Sequence, residues 1–284
     1  MVSTDRHALV LPLYGEITQA CWDRLRGYRQ QGFWVVVVNN NPATSPDLQA
    51  HGDVVVHHHN RSGLAGGLNA GVEQAIRDGA AVITLLDQDS LISAAALHQL
   101  AAASLRGAAL QPCVVGPCIW DRRRDQAHSH PDDQARFLIT SGTTFAPVVW
   151  SLVGPLHAWM EIDYIDHEWC SRACARGVQL QVLADACLMQ SFGRRHPNQF
   201  AHALGLQLYS PYRRAIAIRN LRWLLRQPYV PLDLRLKELI KMLLKPWLWL
   251  LLEPQPARTL QSIWVGLRAP LLQPFPRQWL EARA

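Results

Sequence analysis

At 284 residues, 49% hydrophobic and 18% charged, the chain has the composition of a folded globular protein with a full core, which excludes a disordered or fibrous one. Its net charge of +6 is uneven, with +7 on residues 211–245, +2 on 246–284 and therefore −3 on residues 1–210. The C-terminal region thus expects an acidic partner, and six cysteines at spacings that fit no zinc pattern read as reduced core residues.

In chain order, the apolar runs 8–14, 34–39, 53–58 and 81–86 predict strands, and the stretches 17–31 and 66–78 between them carry helical spacing. This β-α-β-α alternation predicts a mostly parallel central sheet flanked by helices, whose ligands bind beyond the carboxyl ends of the strands. Four polar or glycine-rich stretches stand there: "YGE" at 14–16, "NNNP" at 39–42, "NRSGLAGGLNAG" at 60–71 and "DQDS" at 87–90. The triplet His57–His59 ends a strand and lacks metal-site spacing. No leader precedes the first strand, so a cytoplasmic chain is expected.

The "SGLAGG" turn lacks Gly-Lys-Ser/Thr and the first turn lacks G-x-G-x-x-G, which argues against a P-loop and a dinucleotide fold. Asp87 and Asp89, two apart at the end of a strand, lean to one side, where like charges repel unless a cation intervenes. By itself the pair also suits a plain helix cap at Asp89 or Ser90. Joined to a glycine-rich helix start near Ala65, it points to Mg²⁺ or Mn²⁺ shared with a diphosphate.

Further along, a helix is predicted over 94–106, strands near 113–120 and 137–149, and a solvated loop without a specific role over 121–134. "EIDYIDHEWCSRACARG", residues 161–177, predicts a helix entered at Asp166, with Asp163, Asp166 and Glu168 near its start. Such carboxylates stabilise a helix N-terminus with no catalytic duty. Asp166, however, stands among Tyr164, Ile165 and Trp169, the surroundings of a general base. From residue 232, "LRLKELIKMLLKPWLWLLL" alternates a leucine face with lysines, and its apolar piece Leu248–Leu252 is too short to span a bilayer. Basic residues interleaved with Leu and Trp suit an anionic membrane surface better than nucleic acid.

Seven pieces carry a family resemblance: Leu11-Pro12-Leu13-Tyr14, "VVVVNNNP", "GLAGGLNAG", "LLDQDS", "TSGTTF" at 140–145, "YIDHEWCSRACARG" and "SPYRRAIAIRN" at 210–220. In this order, over about residues 8–220, they resemble the family 2 glycosyltransferases of the GT-A fold, and within them the rhamnosyltransferase-like branch that uses a dTDP-sugar. The resemblance implies a GT-A α/β nucleotide-sugar-binding domain over 1–210 and a helical, basic and aromatic extension over 211–284. It implies an inverting enzyme that moves a sugar, L-rhamnose from dTDP-rhamnose, to a surface glycan or lipid-linked acceptor such as lipopolysaccharide. The enzyme would lie on the cytoplasmic face of the membrane. The alternatives are another nucleotide sugar or a non-catalytic binding protein on the same fold.

For the site, the resemblance implies Asp166 as catalytic base. The nucleotide sugar would be held by Pro12, Tyr14, Gly15, Asn39, Asn41, Gly63, Gly66, Asn69, Asp87 and Gln88. The acceptor would meet Trp159, Glu161, Glu168, Trp169 and Arg213, and the divalent cation Asp87, Asp89 and His196. Two departures stand out. Asn39 replaces the usual acid at the end of the second strand, and Gln190 stands where the family has a His, which leaves Gln190 or His196 to meet the cation on that side.

Overall fold

The computed structural model describes residues 6–41, 48, 51–122, 126–127, 135–191, 194–195 and 207–281. The chain forms two compact units, one of Met1–Ala158 with Trp169–Ser191, the other of Trp159–Glu168 with Phe192–Ala284.

Unit one runs β1 (His7–Leu13), α1 (Gln19–Gln30), β2 (Trp34–Asn39), β3 (Val54–His57), α2 (Gly63–Arg77), β4 (Val82–Leu85), β5 (Leu91–Ile92) and α3 (Ala94–Leu110). It continues with β6 (Cys113–Asp121), β7 (Gln126–Ala127), β8 (Thr144–Phe145), α4 (Pro147–Val153), the later part of α5 (Ile165–Ala175), and β9 (Gln179–Gln190). The sheet has the order β3-β2-β1-β4-β8-β6-β9-β5, with β7 on β6. β3, β2, β1 and β4 are mutually parallel, as are β6 and β9, whereas β8 and β5 are antiparallel insertions. The expected mostly parallel sheet is therefore present.

The strands form because their sequences suit burial on both faces. All seven residues of "HALVLPL" are buried, as are the last five of "WVVVVN", which is the signature of a sheet covered by helices. Pro12 is tolerated in this central strand because the β1–β4 ladder ends at Val10, so its missing N–H removes no bond there. Between Pro117 and Cys118 the β6–β9 register shifts by a bulge, another position where proline is allowed.

The strand expected over 137–149 is corrected. Only Thr144–Phe145 pairs in the sheet, and Pro147 begins α4, since a proline at the first helical position loses no bond that a helix needs. The apolar run there belongs to two short elements instead of one strand.

Unit two contains a small antiparallel pair, β10 (Arg194–Arg195) with β11 (Gln207–Leu208), and the helices α6 (Pro211–Leu224), α7 (Leu232–Leu252), α8 (Pro256–Arg268) and α9 (Gln278–Glu281). Helix α6 starts at a Ser210 cap, whose hydroxyl accepts from the Arg213 N–H, and is buried around most of its circumference. Helix α7 buries only Glu238 and Trp249, leaving Leu236, Ile240, Leu243, Leu244, Trp247 and Leu251 exposed. Among the described residues no helix is long and apolar enough to cross a membrane.

Candidate active site

In unit one the parallel register brings the ends of β1, β2 and β4 to one edge of the sheet. The polar residues just past them bind one another. Gln88 accepts from the Tyr14 N–H at 2.9 Å and donates to the Glu16 carbonyl at 3.0 Å. Asn41 accepts from the Gly15 N–H at 2.7 Å, and Asn39 accepts from the Asn41 N–H at 3.1 Å. The lattice thus fixes three successive strand ends and leaves the Tyr14 ring 58% exposed. Gly15, at φ 71°, turns the chain there in a conformation costly for other residues.

The glycine-rich turn is equally ordered. Asn40, absent from the sequence expectation, accepts through Oδ1 from His58 Nδ1 at 2.8 Å and donates through Nδ2 to the Gly63 carbonyl at 3.1 Å. A side chain at Gly66 would meet Ser62 at 2.5 Å and the His58 ring at 2.8 Å, so only glycine allows this approach. Asn69 points elsewhere: its amide exchanges hydrogen bonds with the backbone of Leu156 at 2.8 and 3.0 Å, a structural clasp.

The acidic pair lies past β4. The Asp87 N–H donates to Ser141 at 3.1 Å, and its carboxylate accepts from Gln190 Nε2 at 2.8 Å. Asp89 is exposed. Gln190, on the last residue of β9, is 8% exposed, and its Oε1 has no hydrogen-bond partner among the described residues. An oxygen-rich set of two carboxylates and one amide oxygen fits a hard cation. Among the described residues no three His, Cys, Asp or Glu side chains cluster as a metal site, so a cation there requires ligands from elsewhere. His196 lies outside the described residues.

Unit two carries the expected base. Asp166 Oδ1 accepts from the His167 N–H at 2.9 Å and lies 3.1 Å from His167 Nδ1. The preceding backbone is strained: Glu161, Asp163 and Tyr164 have φ of 63°, 59° and 63°. One side chain bridges three of its carbonyls: Asn220 Nδ2 donates to Met160, Ile162 and Asp163 at 2.8, 2.8 and 2.9 Å. An asparagine inside the apolar helix "AIAIRNL" was the available sequence signal for this clamp.

Charged groups around the clamp are paired. Burial pushes the Asp163 carboxyl up, against the Arg213 guanidinium that grips both its oxygens at 2.8–3.3 Å. Glu161 accepts from the Phe275 N–H at 3.1 Å, from Arg277 at 3.0 Å and from the Tyr212 hydroxyl. Burial lowers Arg219 to about 10 while it donates to the Trp159 carbonyl, and its guanidinium lies 5.1 Å from the Trp159 ring centroid. Glu168 is fully buried and accepts from Tyr229 at 2.8 Å. Trp169, in unit one, packs on Phe145 and Trp150 and donates to the Gly154 carbonyl at 2.9 Å. Of the residues expected at the acceptor, Glu161, Glu168 and Arg213 thus have protein partners and Trp169 is a core residue.

Over 237 residues the chain is 28% identical to the dTDP-rhamnosyl transferase RfbF of Shigella flexneri, which covers 75% of this chain and 77% of that one. S. aureus TarS shares the fold at TM-score 0.55 and 15% identity over 92% of this chain; the match takes in 54% of TarS, so this chain spans about half its length. TarS 1-349 in complex with UDP-GlcNAc gives 0.57 at 14% identity, over 92% of this chain and 79% of that one. The GT-A fold expected from the sequence is the fold observed. Residues 9–151, which contain every strand-end residue described above except Gln190, match Glycosyl transferase family 2, and the chain belongs to that family of glycosyltransferase enzymes.

Proposed function

We propose that the enzyme transfers L-rhamnose from dTDP-rhamnose to a hydroxyl of a saccharide or lipid-linked saccharide, such as lipopolysaccharide, with inversion at the anomeric carbon. The observation that carries this reading is the linked set Tyr14, Gly15, Asn39, Asn41, Asp87 and Gln88 at the strand ends. The nucleotide and sugar are taken from the likeness to a dTDP-rhamnosyl transferase over three quarters of the chain. Asn41 suits the edge of a pyrimidine, because an amide offers both donor and acceptor, and the fully buried Asn39 supports it by accepting from its N–H. Tyr14, exposed beside them, suits stacking on the base.

Asp87, Asp89 and Gln190 would hold Mg²⁺ or Mn²⁺, which supplies charge to a departing diphosphate when bound. In the chemical step the acceptor hydroxyl attacks the anomeric carbon, its proton passes to the Asp166 carboxylate, and the bond to the nucleotide diphosphate breaks. The hydrogen bonds from His167 orient that carboxylate.

The exposed apolar stripe of α7, with Arg235, Lys237 and Lys241 on the same helix, suits the surface of an anionic membrane on its cytoplasmic face. Each such cation is worth about 1 kcal/mol near the bilayer. Flotation with anionic vesicles at low salt, lost at high salt or on truncation at residue 230, is the expected result. A second reading, transfer from another nucleotide sugar, is favoured by Asn39 in place of an acid. Purified enzyme screened against nucleotide sugars with Mg²⁺ or Mn²⁺, reading nucleotide diphosphate release, separates the two. Retention of anomeric configuration in the product NMR spectrum would overturn the single displacement.

A further inference from the structure

Unit two contains a cavity of about 230 Å³ that the sequence did not foretell. One wall carries Asp163, Tyr164 and His167, the residues flanking Asp166; another carries Lys241, Lys245 and Trp249 of α7. The volume is below the roughly 300–1,000 Å³ of pockets that enclose a drug-sized ligand, so it suits part of a larger molecule.

The charges lining it are unequally satisfied. Asp163 is gripped by Arg213, Glu238 accepts from Lys241 and from the Tyr164 hydroxyl at 3.0 Å, and Arg214 is paired with Glu253. Lys245 has neither a hydrogen bond nor an ion pair among the described residues. Its ammonium is half-buried, and burial, reinforced by Lys241, lowers its pKa against the pull of Glu238 and Asp163. A cation taken partly out of water with no direct ion-pair partner is costly, and an anionic ligand that contacts it lowers that cost. Beside it Met242 and Trp249 give an apolar wall, while Leu243, Leu244 and Trp247 of the same helix are exposed.

We propose that this cavity is an acceptor subsite in which Lys245 binds a phosphate ester carried by the acceptor saccharide. The assignment rests on the transferase reading above and adds to it the class of acceptor: a phosphorylated saccharide. The neighbouring carboxylates do not oppose it, since each already has a cationic partner.

The test titrates full-length protein, without donor, with four probes: a sugar 1-phosphate, an alkyl phosphodiester of the same sugar, the alkyl glycoside lacking phosphate, and inorganic phosphate. The expected result is that Lys245→Gln weakens both phosphorylated sugars by about 10- to 100-fold, the worth of a charge-assisted hydrogen bond, and leaves the phosphate-free glycoside unchanged. Lys245→Arg retains most of the affinity, and the exposed Arg258→Gln, away from this cavity, behaves as wild type. Stronger binding of the alkyl phosphodiester than of the sugar 1-phosphate identifies a lipid-linked source, and equal binding a soluble one. The proposal is overturned if wild type binds neither phosphorylated sugar, if Lys245→Gln binds them normally, if it loses all sugars alike, or if inorganic phosphate binds as tightly as the sugars. A parallel titration with dTDP-rhamnose keeps the two readings apart: failure of wild type to bind any nucleotide sugar sinks the transferase reading, while an intact donor titration with an unaffected Lys245→Gln sinks only this one.

Discussion

The strand-end site of unit one and the Asp166 region of unit two solve the same problem, fixing polar side chains, by different means. In unit one, side-chain amides bind neighbouring backbone at the rim of a rigid sheet, and the carboxylate of Asp89 remains exposed. In unit two a strained segment, with three left-handed residues between 161 and 164, is held by side chains 50 or more residues away: Asn220, Arg213 and Tyr212. Sheet geometry does the positioning in the first case and buried polar bonding in the second. The second is the more fragile, because each buried partner that is removed leaves another unsatisfied.

The largest expected effect comes at Asp166. Asp166→Asn should lower turnover by about 10²- to 10⁴-fold while donor affinity, a property assigned to unit one, stays unchanged; steady-state kinetics beside a dTDP titration checks both. On the other side of the comparison, Asp89→Ala should weaken Mn²⁺-dependent dTDP binding by about 100-fold with no loss of stability, since an exposed strand-end acid supports little packing. Calorimetry with and without Mn²⁺ reads this, and unchanged affinity removes Asp89 from the cation site.

Asn220→Ala tests the clamp. Three carbonyls lose their donor and the strained turn relaxes, so a loss of about 3 kcal/mol is expected in urea unfolding, with dTDP affinity retained by the native protein.

His7 offers a pH test within unit one. Burial, with His98 beside it, lowers its pKa from the ordinary 6.5 to about 3. The neutral ring shares a 2.7 Å hydrogen bond with Thr84. The unfolded chain therefore binds a proton that the folded one refuses, so stability is full above pH 6.5 and falls as pH drops from there toward 3. Between pH 6.5 and 5 this costs about 2 kcal/mol, and His7→Gln should flatten that part of the urea-midpoint profile relative to wild type. The smallest effect is expected at Gln190. Gln190→Ala should lower cation affinity by about tenfold, whereas Gln190→His restores it and shifts preference toward Mn²⁺, measured by competition between Mg²⁺ and Mn²⁺.

By itself the sequence determined the parallel sheet, because buried strands must read as continuous apolar runs, and it located the strand-end residues, because a strand's end is where such a run stops. It marked Asp87 and Asp89 by their spacing of two, and the start of the Asp166 helix to within one residue. It misread 137–149, where apolar composition alone does not distinguish a strand from a proline-started helix. Only the tertiary structure decided that Asn69 clasps Leu156, that Gln190 meets Asp87 across 103 positions, and that Asn220 holds 160–163. These are pairings between residues far apart in the chain. Hydrophobic period carries local geometry and burial, whereas a hydrogen bond between distant side chains leaves no periodic trace and exists only once the backbone has brought both ends together.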